Sequence, residues 1–165
     1  MNEMLEESLA QLTKRGGIYY DVSGISKKEI MLNTINKLPP DSLPIEKRNI
    51  LLQAVLERET IISTGIENGI ALPHPRTPML EGNEAPFVAI VFPLLDVNWD
   101  TPDGSKVHTI FLIVSKSPKQ HLGVLSKINF LCQQEDFFKL IVDRAPEEKI
   151  IAAIEEAEKN WSAAG

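Results

Sequence analysis

The sequence predicts a single α/β domain in which helices cover both faces of a β-sheet. Amphipathic segments with helical spacing alternate with short apolar segments along the whole 165-residue chain. Two of the apolar segments are continuous, which is typical of strands buried on both faces. No low-complexity linker or internal repeat interrupts this alternation, so we expect one domain over residues 1–165.

The first half contains three predicted helices and two predicted strands. Ser26 and Glu29 have the spacing of a capping box, and Pro39 must end the helix that they open. Pro44 suits the first turn of the next helix. In chain order, we predict a helix over about residues 2–13 that ends before Gly16 and Gly17, a strand "IYYDV" at 18–22, helices at 26–38 and 44–59, and a short strand "GIAL" at 69–72.

The second half begins with the two continuous apolar strands, "APFVAIVFPLL" and "VHTIFLIV". The polar stretch "VNWDTPDGSK" between them is a predicted loop or hairpin, in which Trp99 either packs under the loop, the favoured interpretation, or contacts a partner. A helix begins at Ser117 and Pro118, with Leu122, Leu125, Ile128 and Cys132 on its apolar stripe. The segment "APEEKIIAAIEEAEKNW" predicts a closing helix.

Composition restricts the class of protein. A net charge of −6 and a pI of about 5.1 argue against nucleic-acid binding. No apolar run approaches the ~18 residues needed to cross a bilayer, and the acidic start of the chain is unlike a leader peptide. The single cysteine, Cys132, excludes an internal disulfide, and its stripe position favours core packing over a reactive thiol. We expect a cytoplasmic protein without membrane insertion.

His74 is the candidate functional residue, because it lies between Pro73 and Pro75. A residue that precedes a proline is held in an extended conformation, and prolines cannot donate to strand pairing. The ring is therefore displayed on a stiff backbone at a strand end. A neutral imidazole can attack phosphorus without a separate base. From the residues alone, a nucleophile and an ordinary surface histidine are equally supported.

Nearby arginines and glycines fit the nucleophile interpretation. Arg76 follows two residues later, and Arg58 ends the preceding predicted helix, so both guanidinium groups are candidates to bind phosphoryl oxygens. Gly65 and Gly69 permit a positive φ and the close approach of another chain. The spacing of these glycines does not match a nucleotide-binding loop, so we expect another protein as the phosphoryl donor.

The segment "RETIISTGIENGIALPH", from Arg58 to His74, and the later "HLGVLSKI" resemble an enzyme IIA domain of the bacterial phosphoenolpyruvate-dependent phosphotransferase system. The similarity is to the fructose/mannitol class, which includes a nitrogen-regulatory branch, and it spans about residues 16–160. The resemblance implies a central mixed sheet flanked by helices. It further implies that His74 accepts a phosphoryl group from the phosphocarrier HPr, with Arg58 and His121 beside it.

By the same resemblance, Ser63 and Thr64 lie close to the phosphate path, where we expect a hydroxyl or a backbone amide to bind the phosphoryl group. We expect no cofactor. Two functions follow from the two branches. A sugar-specific IIA component passes its phosphoryl group to a cysteine of a IIB domain, whereas a nitrogen-regulatory IIA protein changes its protein partners. The wording of "STGIENGIALPH" and the free-standing length favour the regulatory branch, and a piece of a larger transcription regulator is a third alternative.

His108 lies within the strand "VHTIFLIV", where a hydrogen-bonded structural histidine is the favoured interpretation. The rival interpretation is a metal site formed by His74, His108 and His121. No chelating spacing and no adjacent carboxylate support it, so we expect no metal.

Overall fold

The computed structural model describes residues 7–164, which form helices around a five-stranded sheet. The elements are α1 (Leu9–Gly16), β1 (Ile18–Val22), α2 (Lys27–Lys37), α3 (Ile45–Ile61), β2 (Gly65–Ile66), β3 (Ile70–Ala71), β4 (Phe87–Pro93), β5 (Thr109–Val114), α4 (Pro118–Cys132), α5 (Glu135–Val142) and α6 (Glu147–Ala164). A 3-10 turn, Glu67–Gly69, joins β2 to β3. None of the helices in this part of the chain is both long and apolar enough to span a membrane.

The sheet is mixed, with strand order β1-β4-β5-β3-β2. β1 runs parallel to β4 and β3 runs parallel to β5, whereas the central pair β4–β5 and the short pair β2–β3 are antiparallel. The central strands β4 and β5 are buried along their whole length. This explains why their sequences are continuously apolar rather than alternating.

Helices cover both faces of the sheet, because side chains alternate across it. The neighbours Phe87 and Val88 in β4 belong to two different hydrophobic cores. Helices α2 and α3 pack on the core that contains Phe87, and α1, α4, α5 and α6 pack on the core that contains Val88. The predicted α/β domain with a mixed sheet and helices on both faces is therefore confirmed.

The first described helix begins later than predicted. Ser8 is extended and caps α1, since its hydroxyl accepts from the Gln11 amide at 3.1 Å and the Gln11 side chain accepts from the Ser8 amide at 3.0 Å. This reciprocal pair is a capping box that fixes the first helical residue as Leu9. Residues 2–6 of the predicted helix lie outside the described residues.

Glu158 of α6 anchors this start of α1. Its carboxylate accepts from the amides of Leu9 at 2.7 Å and Ala10 at 3.0 Å, and Lys127 of α4 donates to it at 2.8 Å. The free amides of a helix N-terminus favour an anion at this place. One carboxylate thus links three helices on the same face of the sheet.

Helix α5 is absent from the sequence prediction. The chain turns at Gln133 and Gln134, where neither glycine nor proline marks the break, and α5 then buries Phe137 and Ile141 one turn apart. Leu122, which the sequence places on the apolar stripe of α4, does not pack in the core, because its side chain is 64% exposed. The buried face of α4 consists of Val124, Leu131 and Ile128, the last of which the predicted stripe includes.

The loop between β4 and β5 is closed by a bridge between Val97 and Val107. Trp99 inside it is 0% exposed, and its Nε1 donates to the hydroxyl of Thr64 at 3.3 Å. The interpretation that Trp99 packs under the loop is confirmed.

Candidate functional site

The sheet topology brings His74 and His121 together. Because β3 and β5 are parallel, their carboxyl ends lie at the same edge of the sheet. His74 follows β3 by three residues, and His121 lies in the first part of α4, which follows β5. The centroids of the two imidazole rings are 4.3 Å apart. Two histidines that are 47 residues apart in the sequence thus form a pair of neighbouring rings.

The prolines end regular strand pairing just before His74. β3 stops at Ala71, although the carbonyl of Pro73 still accepts from the amide of Ile113 in β5 at 3.0 Å. His74 itself is partly buried. Its backbone is held by the hydrogen bond between Ile113 and Pro73 on one side and by Pro75 on the other. The expected display of His74 at the end of a strand agrees with this arrangement.

A backbone hydrogen bond determines the tautomer of His74. Its Nδ1 lies 2.8 Å from the carbonyl oxygen of Leu72. Since a carbonyl oxygen only accepts, Nδ1 carries the proton and donates. In the neutral ring, Nε2 therefore has the free electron pair. This is the atom available for nucleophilic attack.

Burial disfavours the charged form of both rings of the pair. Burial lowers the pKa of His121 to about 4, with smaller contributions from His74 and the positive charge of Arg58. Burial also lowers the pKa of His74 below its ordinary value, and Arg58 adds to this effect although the Leu72 hydrogen bond and Glu59 oppose it. Arg58 lies in the last turn of α3, and its Nη1 donates to the carbonyl of Ile62 at 2.8 Å.

The pair lines a cavity of about 240 Å³. The exposed Arg76 and the exposed Leu122 lie on its wall, so a cation and an apolar side chain flank the two rings. Its lining residues are His74, Pro75, Arg76, Pro78, Ile113, Ser115, Pro118, His121 and Leu122. Sequence reasoning missed Leu122, because its spacing in α4 is compatible with a core position.

The hydroxyls of Ser63 and Thr64 are engaged by other groups of the protein. Ser63 donates to the carbonyl of Trp99 and accepts from the Gly65 amide at 2.9 Å. Thr64 donates to the carboxylate of Glu59 and accepts from Trp99. Neither residue lines the cavity. The expectation that these hydroxyls bind a phosphoryl group gains no support from this arrangement.

The glycines of the motif allow other segments of the same chain to contact the backbone closely. Gly69 has a φ of +78°, and a Cβ at this position would lie 2.4 Å from the His108 ring. Gly65 does not adopt a positive φ, but a Cβ there would lie 2.6 Å from Thr101. The close approach predicted for a partner chain at Gly65 and Gly69 is thus made by the loop that precedes β5 and by His108 at its end.

His108 and Cys132 lie outside the histidine pair. His108 Nε2 donates to the carbonyl of Asn68 at 2.9 Å, and its Nδ1 accepts from the Thr109 hydroxyl at 2.7 Å, so both ring nitrogens have local partners. Cys132 packs against the core that contains Val88, and burial raises the pKa of its thiol to about 12. Within residues 7–164, no three His, Cys, Asp or Glu side chains are grouped as metal ligands.

We expect the stability of the protein to fall as the pH drops from about 6.5, the ordinary pKa of histidine in an unfolded chain, towards the value of about 4 that His121 has in the fold. In that window the unfolded state binds protons that the folded state does not, so the free energy of unfolding rises with pH. Urea unfolding at several pH values between about 5 and about 7, for the wild type and His121→Gln, measures this. The variant should show the smaller slope, and identical slopes would contradict the assignment.

The sequence matches a known protein family and several of its members. The family model described as "Phosphoenolpyruvate-dependent sugar phosphotransferase system, EIIA 2" matches residues 11–157. A nitrogen regulatory protein of Pseudomonas aeruginosa is 32% identical over 130 residues, which cover 78% of this chain and 82% of that protein. A fructose-specific EIIABC component from Bacillus subtilis is 30% identical over 117 residues, which cover 70% of this chain but only 18% of that protein.

A solved structure leads to the same family. The nitrogen regulatory protein IIA-Ntr from Neisseria meningitidis superimposes with a TM-score of 0.73 at 25% identity, and the match covers 88% of this chain and 97% of that one. The family match includes the motif from Arg58 to His74 as well as the helix that carries His121. The chain therefore belongs to the EIIA type 2 family of the phosphoenolpyruvate-dependent sugar phosphotransferase system.

Proposed function

We propose that the protein is a phosphocarrier that accepts a phosphoryl group from phosphorylated HPr on Nε2 of His74. One observation carries this proposal: His74 has its only proton fixed on Nδ1 by Leu72, and it faces a second neutral ring, His121, at 4.3 Å between centroids. The attacking electron pair and a hydrogen-bonding neighbour are thereby prepared before the donor arrives.

The phosphoryl group passes directly from the imidazole of the donor to the imidazole of His74. The electron pair of His74 Nε2 forms a bond to phosphorus, and the bond between phosphorus and the donor imidazole breaks with its electron pair returning to the donor ring. The ring of His74 gains positive charge, which its Nδ1–H shares with the Leu72 carbonyl. Arg58 and Arg76 stabilise the negative charge of the phosphoryl oxygens, and His121 hydrogen-bonds to the group.

The proposal also includes the proteins with which the phosphorylated protein interacts. The 32% identical relative carries the name nitrogen regulatory protein, which favours a regulatory role in which phosphorylation of His74 controls protein partners. The alternative is a sugar-specific IIA component that passes its phosphoryl group to a IIB cysteine. The fructose-specific EIIABC relative supports that alternative. In both cases we place the protein in the cytoplasm, where HPr acts.

Incubation with labelled phosphoenolpyruvate, enzyme I and HPr tests the proposed function. We expect an acid-labile label on this protein that appears only when HPr is present. Absence of label with an active donor system would overturn the proposal. Adding the IIB domains of the same cell then separates the branches, because a sugar-specific IIA loses its label to one of them and a regulatory IIA keeps it.

We expect Arg58→Gln to slow the transfer from HPr by on the order of 100-fold, the usual cost of removing one donor that stabilises transition-state charge. Arg58→Lys should recover part of the rate, since it keeps the charge without the planar fork. Rapid-quench measurement of the label gives both rates. The matched control is Arg144→Gln, since Arg144 also donates to a backbone carbonyl, that of Pro93, but only Arg58 of the two contributes to lowering the pKa values of His74 and His121. Equal rates in Arg58→Gln and this control would contradict the role of Arg58.

A further inference from the structure

Glu59 is a buried carboxylate that the proposed transfer step does not use. It follows Arg58 in the last turn of α3, and its side chain is only 5% exposed. Its oxygens accept from the Thr64 amide at 3.2 Å, from the Thr64 hydroxyl and from Lys27 Nζ at 3.2 Å. A buried charge is costly unless such partners compensate it, so the arrangement around Glu59 is specific.

Two residues, Thr64 and Leu72, connect Glu59 to the ring of His74. Thr64, whose amide donates to Glu59, accepts with its carbonyl from the Leu72 amide at 3.0 Å. The carbonyl of the same Leu72 accepts from His74 Nδ1 at 2.8 Å. Hydrogen bonds thus link the carboxylate to Thr64, Thr64 to Leu72, and Leu72 to the nitrogen that sets the tautomer of His74. The backbone of Thr64 and of Leu72 joins one hydrogen bond to the next.

The other side of Glu59 is closed by Lys27 and Trp99. Lys27 lies at the start of α2, pairs with Glu59 and Asp100, and its Nζ is 5.8 Å from the centroid of the Trp99 ring. Trp99 Nε1 donates to the Thr64 hydroxyl at 3.3 Å. Because the hydroxyl of Thr64 has a donor on one side and an acceptor on the other, its hydrogen is directed to Glu59.

We infer that Glu59 is a positioning residue for His74, acting through Thr64 and Leu72 to hold the Nδ1–H tautomer and the aim of Nε2. The consequence for phosphoryl transfer rests on the proposed function, whereas the consequence for the His74 ring does not. Glu59 acts by holding the backbone of Thr64 and Leu72 in place, since a fully satisfied buried network rigidifies the groups that it joins and a partly satisfied one does not. Small misplacements of a nucleophile reduce its rate strongly.

The test compares Glu59→Gln with Glu158→Gln. Glu158 is the matched control because its side chain is 15% exposed and its carboxylate also accepts from backbone amides and one lysine, but at the start of α1. Nitrogen-15 NMR of the unphosphorylated proteins reports the tautomer and the pKa of His74. Rapid-quench kinetics with phosphorylated HPr reports the transfer rate, and urea unfolding reports the stability of each variant.

In Glu59→Gln we expect a measurable population of the Nε2–H tautomer of His74 and a transfer rate that is lower by about tenfold or more. We also expect a lower pKa of His74, because the charge of Glu59 opposes the effect of Arg58 in the wild type. Glu158→Gln should leave the ring and the rate unchanged. The inference is overturned when the His74 ring in Glu59→Gln is identical to that in the control. Wild-type protein that accepts no phosphoryl group would overturn the proposed function instead, while the NMR comparison still decides the inference.

Thr64 provides a second pair of variants in case Glu59→Gln does not fold. Thr64→Val removes the hydroxyl with little change of volume, and Thr64→Ser retains it. We expect Thr64→Val to increase the Nε2–H population of His74, and we expect Thr64→Ser to behave like the wild type. Equal tautomer populations in the two variants and the wild type would show that the hydroxyl does not transmit the position of Glu59.

Discussion

Substituting His74 with glutamine abolishes acceptance of a phosphoryl group from HPr while the protein remains folded. Nε2 of His74 combines a free electron pair with a neighbouring neutral ring, and glutamine offers no nucleophilic nitrogen. Glutamine can still donate to the Leu72 carbonyl, so the turn between Pro73 and Pro75 keeps its hydrogen bond. The measurement is incorporation of label from phosphoenolpyruvate through enzyme I and HPr, together with circular dichroism to confirm the fold.

The control for this result is His108→Gln. His108 is a partly buried histidine with local hydrogen bonds to Asn68 and Thr109, and it does not line the cavity of the histidine pair. We expect this variant to accept label at the wild-type rate. Label that persists in His74→Gln would show that His74 is not the acceptor. Label that disappears in both variants would show that the loss is not specific to His74.

The sequence predicts the position of His74 at the end of a strand because covalent geometry decides it. Pro73 and Pro75 restrict their neighbours regardless of tertiary contacts, so the end of β3 and the position of His74 follow from local rules. The nearness of His121 to His74 required the resemblance to a family, because it depends on β3 and β5 running parallel. Spacing along the chain does not reveal the order of strands in a mixed sheet.

Features that depend on how the helices pack were not predictable in the same way. Leu122 and Val124 are both apolar residues of α4, but only Val124 faces the sheet. Ser63 and Thr64 carry hydroxyls suited to a phosphoryl group, yet in the fold those hydroxyls meet Trp99 and Glu59. The hydroxyl of Thr64 accepts from Trp99, which lies in a loop 35 positions further along the chain. Local sequence rules do not describe such a distant contact.

The second large effect is expected from Trp99→Ala, which should lower the free energy of unfolding by about 3–5 kcal/mol, the range for truncating a fully buried tryptophan. Trp99 is 0% exposed and belongs to the core between the sheet and helices α2 and α3. The substitution leaves a cavity and removes the donor to the Thr64 hydroxyl. Urea unfolding followed by circular dichroism measures the loss, with the slope compared to confirm that the unfolded states are similar.

Trp161→Ala is the matched control, because Trp161 is 39% exposed at the end of α6 and contacts Phe130 at 5.0 Å between ring centroids. We expect it to lose much less stability than Trp99→Ala. Trp99→Phe then separates packing from hydrogen bonding, since phenylalanine retains most of the buried surface but has no donor for Thr64. If packing dominates, Trp99→Phe recovers most of the stability. A loss in Trp99→Ala no larger than in Trp161→Ala would contradict the burial of Trp99 and, with it, the closed side of the Glu59 network.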